Sequence, residues 1–223
     1  MMNRITSLLM MFILCASVAY GQTSRFKLGL ELGPSLASLS GNDFIDDYHD
    51  SRLGFIVGPS LEYRLSDLLS VKTALAFERK GSMIKSEVLT LDEKSFEEYK
   101  ARMNFDYLTM PLLAKLTVGN TTHFFANAGP SFGYLIQQKT ITEAFGGMPK
   151  HTVDESEGFQ KINIGLVLGL GAEHPVNERL SLSVELRSDY GLSNISKLPM
   201  RDDGRIETRS IHFLAGLTYK LKK

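Results

Sequence analysis

The sequence predicts an all-β protein, an eight-stranded antiparallel up-and-down transmembrane β-barrel with short periplasmic turns and long extracellular loops. Three observations support this fold class. Apolar and polar side chains alternate with a period of two over runs of about eleven residues, a length that suits a tilted strand crossing a bilayer. The connections between these runs alternate between long and short. Beyond the N-terminal region there is no run of about 18 apolar residues, so we predict no transmembrane helix.

The composition narrows the classes of function. The 223 residues carry a formal net charge of zero, which gives no electrostatic reason to expect a nucleic-acid partner. No glycine-rich phosphate loop or zinc-ligand spacing is found, so we predict no cofactor and no metal. No linker or change in composition divides the chain, which predicts one barrel domain over 22–223.

The first 21 residues have the features of a secretory signal peptide. Arg4 supplies the positive charge, an apolar core follows over 8–18, and Ala19 and Gly21 form a small-x-small cleavage site. We therefore expect the mature chain to begin at Gln22. Cys15, the single cysteine, would be removed with the signal, leaving a mature chain without disulfides.

The hairpin over 162–192 sets the orientation of the barrel wall. In its first strand, aliphatic residues such as Leu166 and Leu168 alternate with Gly165, Gly169 and Gly171. Glycine weakens a strand and has little use on a solvated face, whereas a crowded lumen needs small residues beside long charged ones. The aliphatic side should therefore face lipid.

The same alternation marks eight predicted strands, and two of them contain exceptions. The strands span 25–36, 54–64, 69–79, 103–117, 122–135, 162–173, 180–192 and 208–221. In the fourth, the faces are the least clear, with Leu108 and Met110 expected to point outward. Phe125 and Leu214 interrupt the polar face and should pack into the lumen.

Two local features carry further expectations. A Gly-Pro-Ser pattern recurs over 33–35, 58–60 and 129–131, and we interpret it as bends or bulges because proline removes a ladder donor. The charged segment over 95–102 predicts a short surface helix in the second loop.

Inward-facing charges and outward-facing aromatics form two sets on the predicted strands. The expected lumen charge network, six cations against six carboxylates, consists of Lys27, Arg64, Lys72, Lys115, Arg187, Lys220, Glu31, Glu62, Glu78, Glu173, Glu185 and Asp189. The expected aromatic belts consist of Phe26, Tyr63, Phe124 and Tyr219 at the periplasmic end and Phe55, Phe77, Phe132, Tyr134, Tyr190 and Phe213 in the extracellular half. An eight-stranded barrel has room inside for side chains only, so we predict a filled lumen without a pore.

The chain contains one candidate for hydrolytic chemistry. His212 lies on the same strand as Ser210 and beside the strand that carries Glu185 and Asp189. We favour the simpler interpretation, a lumen histidine hydrogen-bonded to a carboxylate, and predict no catalytic residue.

The long segments are the expected site of any recognition function. Acidic residues in the first loop (Asp43, Asp46, Asp47 and Asp50) and in the third predict solvated loops or sites for divalent cations. Three functions remain open: a non-enzymatic outer-membrane protein with a structural or recognition role, an outer-membrane lipid or peptide hydrolase centred on His212, and a secreted lipocalin-like carrier with inverted faces.

Four segments, over 107–115, 126–134, 164–173 and 182–192, resemble the PorT-type outer-membrane β-barrel domain family of Bacteroidota. The resemblance implies an eight-stranded barrel located in the cell outer membrane. It also implies outer-membrane lipid and the barrel-assembly machinery as partners, with an unidentified surface or secretion partner. The chain lacks the C-terminal aromatic that such proteins commonly carry, so Tyr219 and Leu221 are the nearest candidates for the assembly signal.

Overall fold

The computed structural model describes residues 25–41, 49–89, 96–145, 148–198 and 204–221. The predicted signal peptide and most of the acidic first loop lie outside these ranges. The described residues form ten strands: β1 (Phe26–Ser40), β2 (His49–Arg64), β3 (Leu69–Ala74), β4 (Ala76–Leu89), β5 (Phe96–Val118), β6 (His123–Thr142), β7 (His151–Asp154), β8 (Ile162–Pro175), β9 (Leu180–Gly191) and β10 (Glu207–Lys220). A short 3-10 helix covers Ser156–Gly158.

Eight of these strand positions close into a barrel. All pairings are antiparallel, and the pairing of β5 with β6 closes the ring that runs from β1 through β10. β3 and β4 form one barrel strand, interrupted at Leu75, because both pair with β2 and with β5. β7 pairs with the outer part of β6 only. This topology confirms the predicted up-and-down fold class.

The connections divide the barrel into two ends. Short turns over 65–68, 119–122 and 176–179 form what we call the turn end, and the longer connections form the loop end. At the loop end β4 and β5 extend as a hairpin in continuous register as far as the pair Leu89 and Phe96. The predicted helix over 95–102 is therefore wrong, because pairing with β4 outweighs the local helix preference of a charged segment.

The Gly-Pro-Ser segments do not form bulges. The register of β1 with β2 passes through Pro34 and Pro59 without a shift, and that of β5 with β6 is the same on both sides of Pro130. The register shifts occur between Ser51 and Phe55 and at Asp106. Proline removes a donor but adds no residue to its strand, so the two strands stay in step.

The aliphatic face points out of the barrel, as the hairpin predicted. Leu166, Val184 and Leu217 are 41%, 50% and 42% exposed. Phe125 and Leu214 are buried in the lumen, also as predicted. The alternative of a soluble lipocalin-like carrier is wrong because it required the aliphatic positions to line the interior. Among the described residues, no helix is long and apolar enough to cross a membrane.

Candidate functional site: the barrel lumen and its loop end

The turn end of the lumen is closed by a square of two lysines and two glutamates. Lys115 Nζ lies 2.7 Å from Glu62 Oε2 and 3.0 Å from Glu173 Oε2. Lys27 contacts the same two carboxylates, at 2.7 Å from Glu173 and 3.6 Å from Glu62. We call these four residues the turn-end layer. The Lys115 ammonium also lies 4.4 Å from the centroid of the Phe125 ring, which explains the aromatic residue on an otherwise polar face.

The middle layer, nearer the loop end, has the same arrangement of two cations that each contact two carboxylates. Lys72 Nζ lies 2.5 Å from Glu31 and 2.9 Å from Glu185. Arg187 bridges the same pair, donating to Glu185 at 2.6 Å and 3.0 Å and to Glu31 at 3.0 Å. Asn127 donates a further hydrogen bond to Glu185 at 3.1 Å. Every charge in this layer is buried and paired twice, which is the condition under which buried ions are tolerated.

The loop-end layer contains the third pair of carboxylates. Lys80 Nζ lies 2.7 Å from Asp189 Oδ2 and 3.6 Å from Glu78 Oε1. His212 Nε2 lies 2.7 Å from Glu78 Oε1, and the Ser131 hydroxyl donates to Asp189 at 2.9 Å. All four charged or titratable residues of this layer are buried.

An apolar cluster fills the lumen beyond the loop-end layer. We call it the apolar plug, and it consists of Leu39, Phe105, Tyr107, Leu135, Phe159, Ile195 and Ile206. Phe159 and Ile195 come from the loops, and the ring of Phe159 meets that of Phe105 edge to face at 4.9 Å between centroids. Backbone hydrogen bonds tie the two loops together, since Gln160 N donates to Ile195 O at 2.7 Å.

Glycines make room for the long charged side chains. A Cβ on Gly165 would lie 2.6 Å from Asp189 Oδ1 and 2.7 Å from Ser131 Oγ. A Cβ on Gly169 would lie 2.7 Å from Glu185 Oε1. The inward positions of β8 therefore require glycine because a larger residue would clash with the lumen side chains.

The structure assembles most of the sequence-predicted charge network but changes its cations. All six predicted carboxylates lie in the three layers, with Lys27, Lys72, Lys115 and Arg187. Arg64 is instead half-exposed at the turn end, where it pairs with Asp67. Lys220 forms no ion pair among the described residues and is only half-buried.

Two groups that the predicted network omitted complete the layers. Lys80 lies one residue beyond the predicted end of the third strand, on the same parity as Glu78, which is the signal that identifies it. His212 is the sixth basic group. Among the described residues, the three layers thus hold six carboxylates, five lysines and arginines, and one histidine.

His212 is the buried lumen histidine beside a carboxylate that we predicted, and it does not form the alternative hydrolytic arrangement. Its Nε2 is bonded to Glu78 rather than to Glu185 or Asp189, and it is 1% exposed. Its Nδ1 and the Ser210 hydroxyl are both buried and without a hydrogen-bond partner. A Ser-His pair is therefore not assembled, and the apolar plug separates the site from the loop end.

The predicted belt aromatics all lie on the outer wall. Phe124, Phe213 and Tyr134 are exposed. Two pairs meet across neighbouring strands with tilted rings: Phe26 with Tyr63 at 4.8 Å and Phe55 with Phe77 at 5.6 Å between centroids. Along each strand the belt aromatics alternate with residues that point into the lumen, as the period of two requires.

Above the barrel, the third loop is ordered by an acidic residue. Asp154 accepts hydrogen bonds from the Ser156 hydroxyl at 2.5 Å, from the Ser156 amide at 3.0 Å and from Gln137 at 2.7 Å. The bonds from Ser156, followed by that from Gln137, lower the pKa of Asp154 to about 2. In the part of the chain that is described, no cluster of three or more metal-binding side chains occurs. Asp43, Asp46 and Asp47 lie outside the described residues.

Comparisons with known proteins identify the family of this barrel. A family model described as outer membrane protein beta-barrel domain matches residues 19–197. A comparison with curated protein sequences gives no match.

Several solved structures are similar in fold. A major outer membrane protein of Thermus thermophilus is 14% identical with a TM-score of 0.48, covering 88% of this chain and 99% of its own. Neisserial surface protein A is 16% identical with a TM-score of 0.47, covering 88% of this chain and 97% of its own. Outer membrane protein W of E. coli is 14% identical with a TM-score of 0.43, covering 90% of this chain and 100% of its own.

Proposed function

The chain belongs to the outer-membrane protein β-barrel domain family, and from that premise we propose that it is a non-conducting, non-enzymatic barrel with a structural or recognition role. As a member of this family it is an integral protein of the outer membrane. The observation that carries the proposal is the continuous filling of the lumen. Three layers of paired charges and the apolar plug occupy the space that a pore would need.

Conductance in planar bilayers tests the closed lumen. The refolded full-length chain should insert without producing channels, and a heat-modifiability gel of the same preparation should show that the barrel is folded. Large and stable conductance steps from a folded preparation would contradict the proposal.

The recognition surface we propose is the part of the sheet that projects beyond the barrel. β4, β5, β6 and β7 continue above the plug, held together by the ion pair of Arg102 with Glu143 and by the edge-to-face contact of Tyr99 with Phe145. Replacing residues 85–100 with a short turn should leave the barrel heat-modifiable while removing binding to a surface partner. Loss of barrel folding in that variant would show that the hairpin serves stability instead.

The outer wall supports the proposal of lipid and the barrel-assembly machinery as partners. Exposed aliphatic residues with aromatic residues at both ends suit acyl chains and their interfaces. On the last strand, Tyr219 is the exposed aromatic nearest the C-terminus and is the proposed assembly signal, with Leu221. Tyr219→Ala should slow assembly into the membrane in cells, whereas Phe213→Ala on the same strand should not.

Within the family we propose membership of the PorT-type group. The supporting segments lie on β5, β6, β8 and β9, and they contribute both the wall and the turn-end and middle layers. A secretion role is tested by deleting the gene from the host and measuring the amount of secreted protein. Unchanged secretion would separate this protein from the namesake members.

An outer-membrane hydrolase centred on His212 is not favoured. Its imidazole lies below the apolar plug, and its Nε2 lies 2.7 Å from Glu78 Oε1 rather than beside a serine. Hydrolysis of lipid or peptide that disappeared in His212→Gln but persisted in the folded control Thr218→Ala, which alters another buried hydroxyl of β10, would contradict this view.

A further inference from the structure

Three arginines from neighbouring strands gather on the outer wall at the loop end. Arg79 of β4 pairs in register with the exposed Phe55 of β2, and its guanidinium carbon lies 5.8 Å from the Phe55 ring centroid. On β5, Asp106 accepts hydrogen bonds from Arg79 on the outer face of the sheet. Arg102 lies four residues before Asp106 on the same strand, so its side chain points to the same face. Arg52 lies at the register shift of β2, and its charge interacts with Arg79, Arg102 and Asp106. We call Arg52, Arg79 and Arg102 the arginine cluster.

The carboxylates around this cluster do not balance its charge. Asp106 is occupied by Arg79, which donates two hydrogen bonds to it at 2.6 Å and 2.7 Å. Glu143 pairs with Arg102 and is shared with Lys150 at 3.3 Å. Among the described residues Arg52 has no ion pair, so the patch carries an excess of positive charge.

Hydrogen-bonding groups at the cluster are also unsatisfied. Arg52 Nη1 and Arg102 Nε are buried and have no hydrogen-bond partner, and the same is true of Oδ1 of Asn104, which lies between Arg102 and Asp106 on β5. Asn104 stands opposite Gly81, which offers no side chain to pair with the amide. Both arginine side chains are partly exposed, but these N–H groups are shielded from water, and shielded polar groups are usually hydrogen-bonded.

The surroundings of the cluster show what kind of anion would fit. On its turn-end side, Phe55, Phe77 and the strongly exposed Leu53 form an apolar surface that faces the acyl chains. Guanidinium groups bind phosphate through paired N–H donors. A ligand that satisfies both features has a phosphate group attached to apolar chains, with hydroxyl groups available to donate to Asn104.

We propose that the arginine cluster binds the phosphorylated headgroup of an outer-leaflet lipid. Arg52 and Arg102 donate to the phosphate, and Arg79 is held beside them by Asp106. The acyl chains lie along Phe55 and Phe77. This inference rests on the outer-membrane location and is independent of the closed lumen, so conductance has no bearing on it.

Native mass spectrometry of the refolded protein in detergent tests the proposal, with monophosphoryl lipid A as the probe. Enzymatically dephosphorylated lipid A is the matched lipid, and we expect it to bind at least about tenfold more weakly, the effect of losing one or two charge-assisted hydrogen bonds. In Arg52→Gln with Arg102→Gln the preference for the phosphorylated lipid should fall by about tenfold or more.

Arg209→Gln is the control variant, because Arg209 is also exposed near the loop end but lies on β10, away from the cluster. It should bind lipid A as the unsubstituted chain does. A heat-modifiability gel reports folding, and if the double variant does not refold, Arg52→Gln alone should show the loss. Equal binding of both lipids, or an equal loss in Arg209→Gln, would overturn the proposal. So would displacement of lipid A by inorganic phosphate or by a soluble phosphorylated saccharide at equal concentration, because the acyl chains would then contribute nothing.

Discussion

The turn end and the loop end of the lumen are filled by different chemistry. Toward the turns, Lys115, Glu173 and their neighbours are held on regular strands and pair across the barrel. Toward the loops, Phe105 of β5 is covered by Phe159 and Ile195, which lie in irregular segments. The comparison indicates that the charge layers fix how the strands face each other, whereas the apolar plug fixes where the loops lie.

Removing one cation from the middle layer should have the largest effect. In Arg187→Leu, Glu31 and Glu185 keep Lys72 as their one shared cation in this layer, and leaving a buried charge underpaired costs about 3–5 kcal/mol. Urea unfolding of the protein in lipid vesicles measures this change in the free energy of unfolding. Arg64→Leu is the matched control, because Arg64 lies on the same predicted network but is exposed, and it should change the free energy by less than about 1 kcal/mol. An equal loss of unfolding free energy in the two variants would show that the lumen charges stabilise the barrel no more than an exposed charge at the turn end does.

A second substitution tests whether Lys80 belongs with the charge layers. Lys80→Met leaves Asp189 with a hydrogen bond from Ser131 and no cation, so we expect a loss of about 3 kcal/mol. Lys220→Met removes a half-buried lysine that has no ion pair among the described residues, and it should be close to neutral. If Lys220→Met destabilised the protein more than Lys80→Met, the composition of the network would have to be redrawn.

A substitution in the apolar plug should affect the loops more than the barrel. Phe159→Ala removes a large buried ring, and we expect a cost of about 2–4 kcal/mol, expressed as local opening of the third and fourth loops. Limited proteolysis of the folded protein should cut these loops faster, while the heat-modifiability of the barrel is retained. Met148→Ala, at an exposed position of the same loop, should leave proteolysis unchanged. Loss of the folded barrel band in Phe159→Ala would show that the plug also holds the strands.

The smallest expected effect concerns pH at the third loop. Because the pKa of Asp154 is lowered to about 2 from its ordinary value near 3.8, its hydrogen bonds stabilise the loop fully above that ordinary value. This stabilisation is lost as the pH falls through about 2. Proteolysis by pepsin should therefore accelerate between about pH 4 and about pH 2 in the unsubstituted chain, in the range of these two pKa values. In Asp154→Asn the loop should already be open at the upper end of that range, and an unchanged rate in that variant would contradict the assignment.

The alternation of side chains was sufficient to predict the barrel and its orientation. A period of two assigns each strand residue to one face, so Leu166 and Glu185 could be placed without knowledge of their neighbours. It also identified Phe125 and Leu214 as exceptions that pack inside. Where the pattern ends, as at Lys80, the predicted strand ended with it and the residue was missed.

The apolar plug and the extended hairpin could not be predicted in this way. Phe159 and Ile195 lie in segments without periodicity, and their contact with Phe105 depends on the path of two loops. The charged residues over 95–102 favour a helix locally, and only pairing with β4 makes them a strand. His212 was placed on the correct face, but its partner Glu78 lies across the lumen, beyond what strand neighbours indicate.

The most direct test of a closed lumen is cysteine labelling at a position deep inside it. In a chain carrying Cys15→Ser, Ser210→Cys places a thiol where the native hydroxyl is buried and makes no hydrogen bond, so the substitution disturbs little. A charged, water-soluble maleimide should label Ser210→Cys in the folded protein far more slowly than the exposed turn position Thr121→Cys, and equally fast after unfolding. Rapid labelling of Ser210→Cys in the folded protein would mean that water passes the apolar plug and reaches the loop-end layer, and would contradict the closed lumen.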